Sequence, residues 1–190
     1  REVIVVSSGA VGMGQRVLGM ARRPDSLGLR QACAAVGQGH LIALYTQLFG
    51  QLGVKAAQVL LTQEDLGDRD RALCVRTTLV RLLELGVVPI LNENDSVSVR
   101  ELIEYRRGQG EGAPALEFGD NDGLSARVAA AIDADLLVIL TDVDGLYTAN
   151  PSKDPTARRI AELREIDEEA LARTLGTSAG GTGGMTSKLE

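Results

Sequence analysis

The hydrophobic residues of this chain are concentrated in short apolar runs that alternate with longer, mixed stretches. The runs are apolar on both faces and rich in β-branched residues, a pattern typical of strands in a parallel sheet that is covered on two sides. We predict strands at residues 3–6, 56–61, 87–91 and 136–140.

The stretches between these runs have the composition and end signals of helices. We predict helices at about residues 27–52, 69–85, 123–132 and 167–175. Gly86 is a candidate for the glycine that ends the second helix. Strands that alternate with helices indicate one α/β domain over residues 1–190, a doubly wound, mainly parallel sheet with helices on both faces. Residues 100–116 are predicted to form a polar surface loop.

Composition and charge exclude several classes of function. The 190 residues carry 26 acidic and 20 basic side chains, with no basic face for nucleic acid. No apolar run approaches the roughly 18–20 residues that a membrane span needs, and no signal peptide is recognisable. Cys33 and Cys74 have no zinc-site or disulfide-scaffold spacing and fit a reducing compartment. We therefore expect a cytoplasmic protein with neither nucleic acid nor membrane as a partner.

Polar clusters lie where ligands bind in open α/β sheets, beyond the carboxyl ends of the strands. Three follow predicted strands, at residues 7–14, 92–96 and 141–145, and a fourth, at residues 119–122, precedes the third helix. Any one of them alone could be turn chemistry, because Gly, Asn and Asp favour turns for local reasons. Four clusters at one edge favour a binding site.

Two segments have the chemistry of a phosphate or metal site. Residues 180–188 offer bare backbone amides and the Lys188 ammonium, which suit a nucleotide phosphate; a flexible linker is the alternative. Asp120 and Asp122 offer oxygen ligands for Mg²⁺, and the alternative for Asp122 is a helix N-cap. His40 is the only histidine and lies inside a predicted helix, and neither cysteine is in a polar cluster, so a nucleophilic triad has no base.

Several segments together resemble the amino acid kinase family, in particular its members that phosphorylate glutamate. They are, in order, VSSGAVGMG, QACAAVGQ, AQVLLTQEDL, VVPILNENDSV, FGDND, LLVILTDVDGLYTANP and GTGGMTSKL. The resemblance implies transfer of the ATP γ-phosphoryl group to the side-chain carboxylate of L-glutamate. The product would be γ-glutamyl phosphate, the first intermediate of proline biosynthesis. The resemblance also implies a requirement for Mg²⁺, feedback inhibition by proline and assembly into a homo-oligomer.

The resemblance assigns roles to particular residues. The glutamate-binding set is Ser8, Gly9, Asn94, Asp95 and Asn121. The nucleotide-binding set is Thr141, Asp142, Thr182, Gly183, Gly184, Met185, Thr186, Ser187 and Lys188. Lys188 and Asp122 are the expected catalytic residues, and Asp120 and Asp122 the candidate Mg²⁺ ligands. In this assignment Asp95 pairs with the substrate ammonium, whereas Ser8 and Asn121 bond its carboxylates.

The same comparison predicts an incomplete domain. Family members begin with a further strand and a loop that carries a second phosphate-binding lysine, and they continue beyond the position of Lys188. Two other functions are compatible with the sequence: a kinase of the same family with another substrate, and a sensor that binds an amino acid or nucleotide without turnover.

Overall fold

A computed structural model describes residues 1–98, 121–141, 144–149 and 154–163 of the chain. Its elements, in chain order, are β1 (Val5–Val6), α1 (Ala10–Val17), α2 (Leu27–Gln51), β2 (Lys55–Leu61), α3 (Gln63–Gly67), α4 (Arg69–Glu84), β3 (Val87–Glu93), α5 (Asn121–Ala131), β4 (Leu146–Tyr147) and β5 (Arg159–Ile160). The helix predicted at residues 167–175 and the loop predicted at 100–116 lie outside the described residues. No helix within the described ranges is long and apolar enough to cross a membrane.

The first three strands form a parallel sheet in the order β1-β3-β2, which confirms the predicted α/β class. Val6 is opposite Leu91, and Leu61 is opposite Glu93, so the carboxyl ends of the strands lie at one edge. The strands β4 and β5 form a separate antiparallel pair that the sequence pattern did not predict.

Both faces of the sheet are covered, as the central strand β3 shows. Leu91 packs on one face in a core with Leu61, with Leu79 of α4 and with Val128 of α5. Because side chains alternate along a strand, Asn92 points to the opposite face, where its side chain contacts α2. Arg76 of α4 joins the two helices of the first face, since it donates to the carbonyl of Ala131 at the end of α5.

The glycine-rich segment after β1 is a helix, although none of the helices predicted from sequence lies there. Gly14 of α1 and Gly37 of α2 lie where the two helices cross. A Cβ on Gly14 would lie 1.8 Å from the carbonyl oxygen of Cys33, and one on Gly37 would lie 1.8 Å from that of Ala10. These glycines therefore allow the two helix backbones to touch.

The strand predicted at residues 136–140 is wrong. This run has no strand structure, and Leu136 and Leu140 are 77% and 89% exposed. A strand requires a neighbour to accept its backbone hydrogen bonds, and within the described ranges this run has none. The other predicted strands and helices that fall within the described residues are confirmed with small shifts at their ends, and Gly86 does follow α4 with a φ of +68°.

The short helix α3 begins with a capping box at the end of β2. The backbone N–H of Thr62 donates to the Asp65 carboxylate at 2.7 Å, and the Thr62 hydroxyl donates to the same oxygen at 2.9 Å. The donation from the Thr62 backbone is the main reason that the pKa of Asp65 lies below its usual value; burial opposes it.

We expect Asp65→Ala to lower the free energy of unfolding by about 1 kcal/mol at pH 7, because it removes this cap. The pKa of Asp65 is lowered by folding, so the stabilisation is present above the unfolded-state value of about 4 and is lost as pH falls through the folded-state value. Urea unfolding at pH 7 and pH 3 measures both effects. Glu64→Ala, at the adjacent exposed position, is the control, and an equal loss there would contradict the assignment.

Candidate functional site at the carboxyl edge of the sheet

The candidate site is built where β1 and β3 end beside the first turn of α5. Ser7 follows β1, Asn92 lies near the end of β3, and Asn121 is the first residue of α5. Parallel pairing of β1 with β3 brings the first two together, and Ser7 N–H donates to the carbonyl of Leu91 at 2.8 Å. Residues more than a hundred positions apart in the chain therefore meet at one edge.

A chain of side-chain amides connects these elements. The Nδ2 of Asn121 donates to the carbonyl oxygen of Ser7 at 2.9 Å and to Oδ1 of Asn92 at 3.1 Å. The Nδ2 of Asn92 donates in turn to Oε1 of Gln38 in α2 at 2.8 Å. Asn92 and Gln38 are buried. Since a buried amide is stable only with its partners in place, this chain holds α2, β3 and α5 in one arrangement.

Ser8 and Gly9, two of the predicted glutamate-binding residues, form the link from β1 to α1. Both are exposed, and Gly9 is the N-cap of α1 with a φ of +101°, a conformation that glycine adopts without strain. No side chain of the described residues caps this helix. Its first backbone amides therefore remain at a helix end with positive partial charge, just after the end of β1, and such an end suits a carboxylate.

Asn94 and Asp95, two further members of the predicted glutamate-binding set, form a turn directly after β3. Asn94 N–H donates to the carbonyl of Leu61 at 2.8 Å, and its own carbonyl accepts from Val97 N–H at 3.1 Å. Both residues are half-buried. The turn is therefore fixed to β2 as well as to β3. Asn121 is hydrogen-bonded to Ser7 after β1 and to Asn92 in β3. Ser8 follows the first of these residues directly, and Asn94 lies two residues after the second.

The predicted nucleotide and metal residues are only partly within the described ranges. Thr141 is exposed after the 136–140 run, and Asp122 is half-buried in the first turn of α5, so it follows the helix start instead of preceding it. The others lie outside the described residues: Asp120, Asp142, Thr182, Gly183, Gly184, Met185, Thr186, Ser187 and Lys188. Within the described residues, no three His, Cys, Asp or Glu side chains are grouped to hold a metal.

Gln38 and Asn92 are functional candidates that the sequence analysis did not select. A signal for Gln38 is present: it is a polar residue on the buried stripe of α2, between Ala34 and Leu41. A polar side chain in such a stripe needs a partner. That partner, Asn92, is 54 residues away, and only the fold identifies it.

Comparison with known proteins defines the class of this chain. The sequence profile of the amino acid kinase family matches residues 1–190. The chain belongs to the amino acid kinase family.

Individual relatives are similar to this chain over nearly its whole length. The chain is 53% identical to the glutamate 5-kinase of Gloeobacter violaceus, over 99% of this chain and 47% of that protein. It is 51% identical to the glutamate 5-kinase of Carboxydothermus hydrogenoformans, over 100% of this chain and 47% of that protein. The chain thus spans about half the length of the curated relatives it matches. Among solved structures, E. coli aspartokinase III in complex with aspartate and ADP aligns over 79% of this chain and 33% of that chain, with 20% identity and a TM-score of 0.47.

Proposed function

We propose that the protein to which this chain belongs transfers the γ-phosphoryl group of ATP to the side-chain carboxylate of L-glutamate. The product is γ-glutamyl phosphate, the first intermediate of proline biosynthesis. The observation that supports this most is the junction at Asn121, which joins the two loops predicted to bind glutamate. The identity with glutamate 5-kinases over the whole chain supports the same substrate.

The chemistry of this transfer agrees with the residue types at the site. A glutamate side chain, with a pKa of about 4.3, is already anionic at neutral pH. The acceptor oxygen needs no general base, so a site without His or Cys is sufficient. The remaining task is to bring two anions together and to stabilise the charge on the phosphoryl oxygens, which positioning and electrostatics achieve.

The glutamate side of the site has complementary groups for both ends of the substrate. The first amides of α1 and the exposed Ser8 offer donors to a carboxylate. Asp95, in the turn after β3, offers a negative charge to the α-ammonium. The substrate would therefore lie across the carboxyl edge of the sheet, between the end of β1 and the end of β3.

The nucleotide side of the proposal rests on sequence. Thr141, Asp142 and the residues from Thr182 to Lys188 would contact ATP, and Lys188 would neutralise the transferred phosphoryl group. The half-buried carboxylate of Asp122 fits a Mg²⁺ ion that ATP brings, because such an ion needs only one or two carboxylates besides the phosphates. Asp120 is the second candidate ligand. Bound there, Mg²⁺ would neutralise phosphate charge.

The proposal also includes three properties that follow from the resemblance alone. They are feedback inhibition by proline, assembly of identical chains and a cytoplasmic location.

A substrate assay on the full-length protein tests this function. We expect ADP release and a hydroxylamine-trapped acyl phosphate with L-glutamate, and neither with L-aspartate or N-acetyl-L-glutamate. Asp95→Ala should raise KM for L-glutamate roughly 10–100-fold, because a hydrogen bond to a charged group contributes about 1.5–3 kcal/mol. KM for ATP should change less than about twofold.

Three outcomes would contradict the proposal. Preferred turnover of L-aspartate or N-acetyl-L-glutamate would indicate another kinase of the family. Nucleotide binding without ADP release, measured by calorimetry, would indicate a sensor. Equal increases of both KM values in Asp95→Ala would remove Asp95 from the glutamate site.

A further inference from the structure

The orientation of the amide chain behind the site follows from two backbone groups. The Ser7 carbonyl can only accept a hydrogen bond, so the side-chain group of Asn121 that lies 2.9 Å from it is the Nδ2 amide. Glu93 N–H can only donate, so the atom of Asn92 that lies 2.9 Å from it is Oδ1. The choice between oxygen and nitrogen at both asparagines is therefore determined by backbone chemistry.

The position of Gln38 follows from the same reasoning. With Oδ1 of Asn92 directed at Glu93 and Asn121, its Nδ2 faces α2 and requires an acceptor there. Gln38 supplies one with Oε1 at 2.8 Å. Gln38 and Asn92 are only 8% and 3% exposed, so if the Gln38 acceptor were removed, water could not replace it at low cost. Gln38 thus holds Asn92 in the orientation that receives Asn121.

In this arrangement the side chain of Asn121 has only its acceptor oxygen, Oδ1, left for a ligand. Both hydrogens of its Nδ2 are used, by Ser7 and by Asn92. Its Oδ1 receives no hydrogen bond from the described residues, and the residue is only half-buried. The side chain of Asn121 can therefore accept a hydrogen bond from a ligand but has no hydrogen left to donate to one.

We propose that Gln38 is a positioning residue which, through Asn92, presents Oδ1 of Asn121 to the α-ammonium of the substrate. This inference rests on the proposed function, with L-glutamate as the substrate. At neutral pH the ammonium is the only hydrogen-bond donor on glutamate, because both carboxylates are ionised. It replaces the expectation from sequence that Asn121 bonds a substrate carboxylate. Asn121 Oδ1 and Asp95 would then recognise the ammonium together.

Two substitutions of equal length at Gln38 separate positioning from packing. Gln38→Met removes the acceptor, and Gln38→Glu retains an acceptor oxygen. In the full-length protein we expect Gln38→Met to raise KM for L-glutamate about 10-fold, with kcat and KM for ATP within about threefold of the wild type. Gln38→Glu should keep KM for L-glutamate within about threefold of the wild-type value. Gln31→Met makes the same change elsewhere on α2, where the side chain has no hydrogen bond within the described residues, and should have no effect.

A second measurement needs neither activity nor a stable Gln38→Met variant. In the ¹⁵N-labelled wild-type protein, both side-chain amide hydrogens of Asn121 should exchange slowly with solvent. Rapid exchange of either hydrogen would overturn the inference. So would a KM for L-glutamate that Gln38→Met changes less than twofold, an equal rise in KM for ATP, or failure of Gln38→Glu to restore KM. Absence of glutamate phosphorylation by the wild type, with slow exchange intact, would contradict the proposed function and leave the amide orientation established.

Discussion

Gly37→Ala is expected to destabilise the fold by about 3 kcal/mol, at the upper end of overpacking costs. The new Cβ would lie 1.8 Å from the carbonyl oxygen of Ala10 and 2.4 Å from the backbone nitrogen of Gly14. Both contacts are with backbone atoms, so no side chain can rotate away and α1 must move as a unit. In a protein of this size the melting temperature should fall by roughly 6–12 °C.

The control for this prediction is two residues further along the same helix. A Cβ on Gly39 meets nothing within 4 Å, and alanine is the better helix former by roughly 0.5–1 kcal/mol. Gly39→Ala should therefore be neutral or slightly stabilising in the same thermal unfolding experiment. A Gly37→Ala protein that melts at the wild-type temperature would show that α1 and α2 are not in backbone contact.

Movement of α1 should also be visible at the site. Gly9 is the N-cap of α1, and Ser8 precedes it directly. A displaced α1 would shift both residues relative to Asn121. Residual activity of Gly37→Ala below its melting temperature should accordingly show a raised KM for L-glutamate.

Lys188→Ala is expected to lower kcat of the full-length protein by roughly 10²–10³-fold, about 2.7–4 kcal/mol, the usual effect of losing a preorganised donor at developing charge. Lys188 follows a run of glycines and is one of three lysines in the sequence. KM for ATP should rise less, because backbone amides would still contact the phosphates. Arginine at position 188 should substitute poorly, because its planar guanidinium places its donors differently from the compact ammonium of lysine.

Lys55→Ala is the matched control for Lys188→Ala. Lys55 is exposed at the start of β2, at the opposite end of the strand from the site. Steady-state kinetics should give values for this variant within about twofold of the wild type. A kcat for Lys188→Ala within twofold of the wild type would remove Lys188 from the mechanism.

The sequence determined the elements whose signals are local. The long helix α2 was predicted at residues 27–52 and extends over Leu27–Gln51, because its apolar stripe and its end signals lie within its own segment. The strands β2 and β3 were recognisable as apolar runs for the same reason. The polar loops after β1 and β3 were predicted to be binding loops from strand-end position and composition alone.

Tertiary structure decided everything that depends on a distant partner. Residues 136–140 have the composition of a buried strand, yet in the described structure no strand pairs with them. In the sequence, Gly14 belongs to a polar cluster that favours a binding site. In the structure, its lack of a side chain allows α1 to approach the backbone of Cys33. The composition of a segment indicates which local conformation and environment its residues favour. These outcomes depend instead on which atoms the fold brings within a few ångströms of each other.

The site divides in the same way. Sequence was sufficient to select Asn121, because its Gly-Asp-Asn-Asp segment resembles that of the amino acid kinase family and the resemblance assigns this asparagine to the substrate. It could not determine whether Asn121 donates or accepts, because an amide offers both and the choice belongs to its neighbours. The Ser7 carbonyl, Asn92 and, behind it, Gln38 make that choice, and they meet only after β1, β3, α2 and α5 have packed together.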